Sequence, residues 1–267
     1  MQKMTGNLVS IVTPTYNSSK FIGRMIESIQ KQTYENWELL ITDDCSSDET
    51  VELIHDYVKQ DKRIKLFQLT ENSGAGVARN FSISKASGRY IAFCDSDDIW
   101  KPDKLELQTR FHERYGYLFT YTSYEIVDEQ FRLVGLEICR KKFDYNSLLR
   151  DCGIGCSTCM YDASTLGKIY FPIIRKRQDW ALWLKIIKKT NSAHGLSKVL
   201  TTYTKRRDSI SANKLTLIKY NYAVYHNVEG FSHFRSCWIF FIQFMPRYVV
   251  KKIKQRYFVL TKDINNI

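Results

Sequence analysis

The chain has 267 residues, 44% of them hydrophobic, which leaves room for one large or two small domains with a sizeable core. A formal net charge of +12 favours an anionic partner such as phosphates, nucleic acid or a membrane surface. No stretch approaches 18 consecutive apolar residues, so no transmembrane helix is predicted, and seven cysteines without an evident secretory signal predict reduced thiols in a cytosolic setting.

Predicted strands and helices alternate through the first hundred residues. Apolar runs predict strands at 8–12, 37–42, 64–69 and 91–95, and helical spacing predicts helices at 21–32, 51–58 and 77–86. Ser46 and Glu49 have the spacing of a capping box before the second helix. This order predicts an α/β fold with an open, mainly parallel sheet, right-handed crossovers and flanking helices.

Polar clusters follow the first, second and fourth predicted strands, where ligands bind in such sheets. The clusters are Pro14, Thr15, Tyr16 and Asn17; Asp43 and Asp44; and Asp95, Asp97 and Asp98. The Tyr16 ring offers a surface on which a base can stack, and Asp44 can accept from a base N–H or a ribose hydroxyl. The structural alternatives are a packing aromatic for Tyr16 and a turn before a helix for the Asp43–Asp44 pair.

The acidic cluster after the fourth strand places three carboxylates within four residues, so they repel one another strongly. A bound cation explains such a cluster, and hard oxygen ligands suit Mg²⁺ or Mn²⁺, which bridge to substrate phosphates. The alternative is a solvated acidic turn before the helix expected near Pro102. With the stacking ring, the cluster indicates a site for a nucleotide diphosphate.

The second half carries two further informative stretches. In the segment RKRQDW (175–180), Asp179 begins a helix whose buried face includes Trp180 and Trp183, and it is either an N-cap or a general base. A basic loop at 203–211 contains Arg206 and Arg207, which either neutralise a leaving diphosphate or belong to a solvated turn.

The C-terminal segment combines an aromatic, apolar run at 237–245 with a concentration of basic residues. From Ser232 onward there are seven Lys or Arg residues and one acidic residue. This pattern predicts an interfacial helix that contacts an anionic membrane surface, or else a helix packed on the catalytic domain with a basic outer face. Nucleic acid is not an expected partner, because no recognition fold is apparent.

Four segments together resemble glycosyltransferase family 2, which has the Rossmann-like GT-A fold. They are VSIVTPTYN (9–17), LITDDCSSD (40–48), GVARN (76–80) and FCDSDD (93–98), in the family's order and spacing over residues 7–103. The QDW segment (178–180) resembles the family's (E/Q)-D-W motif, and the loop with Arg206, Ser209 and Ser211 resembles its flexible lid over the donor.

The resemblance implies a bacterial, metal-dependent, inverting hexosyl- or N-acetylhexosaminyltransferase that uses a nucleotide-sugar donor, most often UDP-linked. The acceptor would be a hydroxyl of a glycan or lipid-linked glycan in surface polysaccharide synthesis, of O-antigen, capsule or teichoic type. The implied nucleotide-binding residues are Pro14, Thr15, Tyr16, Asn17, Asp43, Asp44, Arg79 and Asp97. The implied metal residues are Asp98, Asp97 and Asp95, the lid residues are Arg206 and Arg207, and the catalytic base is Asp179. Ser157 and Thr158 are candidates for the sugar and acceptor side.

We therefore expect a GT-A catalytic domain at 1–213, with a nucleotide-binding half at 1–103 and an acceptor half at 104–213. A basic, aromatic helical extension at 214–267 would follow, and the protein would be cytoplasmic and peripheral on the inner face of the plasma membrane. One alternative is a nucleotidyltransferase, which should carry a Gly-rich basic loop after the first strand. The other is a non-catalytic nucleotide-sugar binding protein on a transferase fold.

Overall fold

The computed structural model describes residues 6–206, 214–250 and 253. Its strands are β1 (Val9–Thr15), β2 (Trp37–Asp43), β3 (Ile64–Gln68), β4 (Tyr90–Phe93), β5 (Ile99–Trp100), β6 (Phe119–Val127), β7 (Leu133–Glu137), β8 (Lys142–Phe143), β9 (Met160–Asp162) and β10 (Ala193–Thr204). Its α-helices are α1 (Ile22–Gln30), α2 (Thr50–Gln60), α3 (Ala75–Lys85), α4 (Lys104–Tyr115), α5 (Tyr145–Leu149), α6 (Ala163–Leu166), α7 (Gln178–Thr190), α8 (Lys214–Ala223) and α9 (His233–Trp238). A 3₁₀ turn spans Cys156–Thr158, and π-helical turns span Val224–Val228 and Ile239–Phe244.

The strands form one mixed sheet in the order β3-β2-β1-β4-β9-β6-β10-β5, with β7 on β6 and β8 on β10. The first four strands pair in parallel, as the sequence predicts. In the second half, β9 runs antiparallel to both β4 and β6, whereas β10 runs parallel to β6. The α/β class with a central sheet and flanking helices is confirmed, and the antiparallel pairs are confined to the second half and its edges.

The parallel strands β1, β2 and β4 are buried on both faces, which explains their continuous apolar runs, whereas the edge strand β3 is fully buried only at Ile64. In β1, Val9 and Ile11 pack in the cluster that contains α1, whereas Val12 packs in the cluster that contains α7. The predicted buried face of α7 is present, because Trp183 lies 5.3 Å by ring centroids from both Phe93 and Phe119. These contacts fix the start of α7 against the ends of the central strands.

The predicted capping box at Ser46 and Glu49 is wrong. Helix α2 begins at Thr50. The side chain of its N-cap residue, Glu49, accepts no hydrogen bond from the backbone of the first helical turn. The Ser46 hydroxyl instead donates to Asp43 Oδ1 at 2.5 Å, so it closes the loop after β2. The capping-box spacing takes only residues 46 and 49 into account. In the structure, the carboxylate of Asp43 at the end of β2 binds the same hydroxyl.

The C-terminal helices pack on α7 by one face and expose apolar side chains on another. Trp180 of α7 lies 5.3 Å from the rings of both Tyr225 and Phe244, and these three residues belong to the same core cluster. Exposed apolar residues lie on the other face, among them Phe234, Trp238, Phe241, Ile242, Val249, Val250 and Ile253. The expected packing on the domain is therefore present on one face, and contact of the other face with a membrane stays a prediction. Within the described residues, no helix has the length and apolarity needed to span a bilayer.

Several sequence predictions fall outside the described residues. These are Arg207, Ser209 and Ser211 of the basic loop, together with the basic residues Lys251, Lys252, Lys254 and Arg256 near the C-terminus. The division into domains at residue 213 remains a prediction.

Candidate active site

A cavity of about 510 Å³ lies at the carboxyl ends of β1, β2 and β4 and is bounded on the far side by the start of α7. This volume is in the range of small-molecule sites. The structure brings together most of the predicted residues in its wall. Those that line it are Pro14, Thr15, Tyr16, Asp44, Arg79, Asp95, Asp97, Asp179 and Arg206.

At one end of the cavity, Tyr16 and Asp44 form a pocket suited to a planar ligand. The Tyr16 side chain is 46% exposed, so its ring is not buried in the core and is available for stacking on a ligand. The backbone N–H groups of Ser73 and Gly74 each donate to one Asp44 carboxylate oxygen at 2.8 Å. Burial raises the pKa of Asp44, and these two donors partly oppose the shift. Each oxygen keeps a lone pair for a ligand donor.

Asn17 and Asp43 support this end from behind the cavity wall. Asp43 is buried, and its carboxylate accepts from the backbone N–H of Ser46 at 2.8 Å as well as from the Ser46 hydroxyl. That hydroxyl in turn accepts from the backbone N–H of Asn17, whose side chain accepts from the Ser47 N–H at 2.9 Å. The turn interpretation therefore describes Asp43. Both residues tie the loop after β1 to the loop after β2.

Two of the three clustered carboxylates line the cavity, and each is paired with an arginine. Arg79 Nη2 donates to Asp95 Oδ1 at 2.6 Å, and Arg206 Nη1 lies 3.6 Å from Asp97 Oδ2. Burial, and then the charge of Asp95, raise the pKa of Asp97 to about 6. The raised pKa therefore reflects mainly the burial of Asp97 and, second, its repulsion by the Asp95 carboxylate. The carboxylates are buried or half-buried, so the solvated-turn interpretation is wrong.

The third carboxylate, Asp98, lies behind the cavity wall and is only 1% exposed. It accepts from the Ser157 hydroxyl and, at 3.0 Å, from the backbone N–H of Thr204. Burial raises its pKa well above the usual range. The Ser157 hydroxyl also accepts from the Asp95 N–H at 2.9 Å, so one buried hydroxyl joins Asp95 to Asp98.

Ser157 and Thr158 do not face the sugar side as the resemblance implies. Ser157 is buried in the contact just described, and its carbonyl accepts from the indole N–H of Trp100 at 2.8 Å. The Thr158 hydroxyl donates to the Gly155 carbonyl at 2.7 Å, within the 3₁₀ turn. Both side chains hold the acidic segment and the turn together instead of lining the cavity.

Asp179 lies in the first turn of α7 and lines the same cavity as the acidic pair. The N-cap interpretation is wrong, because the helix begins at Gln178 and its N-cap is Arg177, in a left-handed conformation with φ of 63°. Burial disfavours the charge on Arg79, yet its pKa is raised, because the carboxylates of Asp95 and Asp179 act on it. Arg79 thus connects the acidic pair to Asp179 electrostatically.

The first turns of α3 and α7 touch at Gly76. A Cβ at this position would lie 2.2 Å from Gln178 Oε1, so a larger residue would force the end of the Gln178 side chain to move. Arg79 follows Gly76 by one helical turn, and Asp179 follows Gln178 directly. This contact brings the helical turns that carry Arg79 and Asp179 next to each other, and it favours a small residue at position 76 of the GVARN segment.

The residues present fit a hard divalent cation held in part by the protein. Within residues 6–206 and 214–250, no group of three or more His, Cys, Asp or Glu side chains forms a complete metal cage. Asp95 and Asp97 nevertheless present carboxylate oxygens to the cavity. Mg²⁺ and Mn²⁺ are commonly bound by one or two carboxylates, with the other positions filled by water or phosphate oxygens.

Three cationic residues in the cavity wall were not assigned a role from the sequence. Arg175, Lys176 and Arg177 line the cavity immediately before Gln178 and Asp179. Their signal in the sequence is a run of three cations directly before the proposed base. Without the fold, such a run cannot be told from a solvated surface segment.

Comparison with known proteins identifies the family. Residues 10–163 match the model of glycosyl transferase family 2. The chain is 38% identical over 247 residues to the putative teichuronic acid biosynthesis glycosyltransferase TuaG of Bacillus subtilis, covering 92% of this chain and 98% of that one. It is 42% identical over 217 residues to the Escherichia coli enzyme WfgD, a UDP-Glc:alpha-D-GlcNAc-diphosphoundecaprenol beta-1,3-glucosyltransferase, covering 81% and 84%. The chain belongs to glycosyltransferase family 2.

Solved structures show the same fold. S. aureus TarS (residues 1–349, in complex with UDP-GlcNAc) matches with a TM-score of 0.68 and 24% identity, over 86% of this chain and 70% of that one. The mannosyltransferase PcManGT from Pyrobaculum calidifontis (in complex with GDP-Man and Mn²⁺) matches with a TM-score of 0.62 and 16% identity, over 86% and 66%. The predicted GT-A fold is confirmed, and the nucleotidyltransferase alternative has no support.

Proposed function

We propose that this glycosyltransferase moves a sugar, with inversion, from a UDP-linked donor to a hydroxyl of a lipid-diphosphate-linked glycan in bacterial surface polysaccharide synthesis. The observation that carries the proposal is one cavity that joins Asp44, the Asp95–Asp97 pair and Asp179, which come from three separate segments. The names of the relatives support the substrate classes, because TuaG is assigned to teichuronic acid biosynthesis and WfgD to a diphosphoundecaprenol-linked acceptor.

The donor would lie along the wall formed by the ends of β1, β2 and β4. The Tyr16 ring would stack on the base, and Asp44 would accept from a base N–H or a ribose hydroxyl. Asp95 and Asp97 would hold Mn²⁺ or Mg²⁺, which when bound stabilises the negative charge of the diphosphate. Asp98, which the sequence placed among the metal ligands, would instead position these two carboxylates from behind through Ser157.

Asp179 would be the catalytic base. Its carboxylate would remove the proton of the acceptor hydroxyl as that oxygen forms a bond to the anomeric carbon. The bond between this carbon and the diphosphate oxygen would break, and UDP would leave with the bonding electrons. Asp179 suits this task because Asp95 is engaged by Arg79 and Asp98 by Ser157 and Thr204. Arg206 would neutralise charge on the departing diphosphate.

The apolar face of the C-terminal helices would contact an anionic bilayer on the cytoplasmic side. Phe234 is 80% exposed there, and Trp238, Phe241 and Ile242 are also exposed. Arg235 and Arg247 are exposed on the same helical segment, and basic residues continue in the sequence after residue 250. Apolar side chains beside cationic ones match the chemistry of an interfacial helix on anionic lipid.

The membrane contact can be tested by flotation with phosphatidylglycerol-containing vesicles. The double variant Trp238→Glu/Phe241→Glu should stay with the soluble fraction, whereas Leu133→Glu, a matched change of an exposed apolar residue on β7, should float like the wild type. Equal flotation of both variants would remove this part of the proposal.

The donor site is tested by thermal stability with UDP, GDP and dTDP, each with Mn²⁺ and with chelator, because a ligand that binds the native state raises the Tm. A metal-dependent shift with UDP supports the proposal, and no shift with any nucleotide would refute it. Asp179→Asn should bind UDP like the wild type but transfer sugar about a hundredfold or more slowly. Binding without transfer or donor hydrolysis in the wild type would favour the non-catalytic binding protein.

A further inference from the structure

The cavity holds more cationic residues than the proposed donor needs. Of the five in its wall, Arg79 and Arg206 lie against Asp95 and Asp97. The other three, Arg175, Lys176 and Arg177, directly precede α7. A nucleotide diphosphate with a divalent cation brings little net negative charge, so a further anionic group is a reasonable ligand for this second set.

Within this set of three cations, Arg175 and Arg177 lie toward different sides of the cavity. Arg175 is close enough to Asp44 that its charge partly opposes the burial that raises the pKa of Asp44, which places it at the nucleotide end. Arg177 Nη1 lies 3.7 Å from the Sγ of Cys152. The charge of Arg177 also acts on Tyr225, which belongs to the C-terminal helices. Arg177 is therefore on the side of the cavity that faces those helices.

The guanidinium of Arg177 has donors to spare. Its Nε is buried and has no hydrogen-bond partner within the described residues. Within residues 6–206 and 214–250, no carboxylate forms an ion pair with it. A buried, unpaired guanidinium donor is costly, and a phosphate group is the ligand that best satisfies it, because phosphate oxygens match the planar fork of arginine.

The position of Arg177 relative to Asp179 fits an acceptor that carries a diphosphate on the same sugar that is attacked. The two residues are separated by one residue, so their Cα atoms are no more than about 7 Å apart. A sugar whose hydroxyl lies at Asp179 would place the group on its own anomeric carbon one ring away. On this side, Trp180 packs on Phe244, and beyond it the helical segment presents its exposed apolar residues.

We infer that Arg177 binds the diphosphate of a polyprenyl-diphosphate-linked acceptor, on the side of the cavity opposite the donor nucleotide. This inference rests on the proposed glycosyl transfer and adds the residue that recognises the acceptor's anionic group. The lipid chain would leave the cavity toward the C-terminal helices and reach the bilayer along their apolar face. Arg175, at the other end of the run, would contribute to donor binding instead.

The test is isothermal titration of farnesyl diphosphate into protein already saturated with UDP and Mn²⁺, so that the donor site is occupied. The wild type should bind, and Arg177→Gln should bind about tenfold more weakly or worse, as expected for the loss of a charge-assisted hydrogen bond. Arg177→Lys should recover part of the affinity, because it restores the charge. Lys185→Gln, an exposed residue further along α7, is the charge-matched control and should bind like the wild type.

Titration of UDP into each variant reports separately on the fold and the donor site, and its affinity should not change in Arg177→Gln. Equal farnesyl diphosphate affinity in Arg177→Gln and the wild type would overturn the inference. So would equal affinity for farnesol, which lacks the diphosphate, or loss of farnesyl diphosphate binding when UDP is present. Failure of the wild type to bind UDP would instead remove the proposed function, and this inference with it.

Discussion

Replacing Ser157 by alanine should destabilise the protein and disorder the acidic pair, although Ser157 does not touch the cavity. Its hydroxyl accepts from the Asp95 N–H at 2.9 Å and donates to the Asp98 carboxylate. Both contacts are made in the interior, because Ser157 is 3% exposed and Asp98 is 1% exposed. Removal of the hydroxyl leaves a backbone donor and a buried carboxylate each short of one partner.

The size of the effect follows from these two contacts. A buried polar group left without its partner costs about 1–3 kcal/mol, so the pair is expected to cost about 3 kcal/mol in the free energy of unfolding. For a chain of this size, 1 kcal/mol corresponds to roughly 2–4 °C in Tm, which predicts a decrease of about 6–12 °C. The affinity for UDP with Mn²⁺ should also fall, because the Asp95 backbone is no longer held.

The assay is differential scanning fluorimetry of Ser157→Ala, with and without UDP and Mn²⁺. Ser84→Ala is the matched control, because Ser84 is exposed, and its Tm should stay within about 1 °C of the wild type. If Ser157→Ala kept the wild-type Tm and only raised the KM for the donor, Ser157 would contact the sugar, as the family resemblance implies. That result would refute the role derived from the structure.

Further predictions concern titration and packing. Because the pKa of Asp97 is raised to about 6, Mn²⁺ should compete with a proton for this carboxylate. The Mn²⁺ affinity measured by calorimetry should therefore be about tenfold lower at pH 5 than at pH 7. The variant Asp97→Asn should lose this pH dependence. Burial lowers the pKa of His112 to about 4 in the folded protein, against about 6.5 in the unfolded chain. The unfolded chain therefore binds a proton first as the pH falls from about 6.5 to about 4, and the free energy of unfolding should decrease by about 3 kcal/mol over this range. Urea unfolding of His112→Gln should show a smaller acid-side loss, and an equal loss would contradict this. Gly76→Ala should lower kcat by displacing Gln178 and the adjacent Asp179, and adding Gln178→Ala should restore most of it; no recovery in the double variant would contradict the contact.

The sequence is a good guide where the fold is set by local pattern. Strands β1, β2 and β4 are buried on both faces, so they appear as apolar runs separated by helical spacing. Their parallel order then follows from the rule for crossover connections. The same rule brings Tyr16, Asp44 and Asp95 to one edge of the sheet, and the cavity lies there. A general physical rule, applied to clusters at strand ends, thus locates the site without any knowledge of side-chain packing.

The roles of individual residues in a cluster depend on contacts that are distant in the chain. The sequence could not tell which of three adjacent carboxylates faces the ligand, because Asp98 is turned inward by Ser157 and by Thr204, 59 and 106 residues away. Similarly, Asn17 and Asp43 carry the right chemistry to contact a nucleotide, yet their hydrogen bonds to Ser46 and Ser47 close the loop. Polar residues at a strand end are therefore divided between ligand contacts and supports only by the tertiary fold.

The two arginine–carboxylate pairs of the cavity differ in a way that assigns them different tasks during donor binding. The Arg79–Asp95 pair is short, at 2.6 Å, and Arg79 is 10% exposed at its side chain, so leaving the pair would strand a buried charge. The Arg206–Asp97 pair is longer, at 3.6 Å, and Arg206 is 26% exposed, so little free energy holds it. In the proposed function, Asp95 and Asp97 would hold the divalent cation, and Arg206, which is only weakly held by Asp97, would be available to the phosphate oxygens of the donor. Arg79 stays in place and keeps Asp95 oriented toward the cavity. The weak pair is thus the one expected to exchange partners on donor binding, and the strong pair is expected to keep Asp95 in place at the proposed donor site.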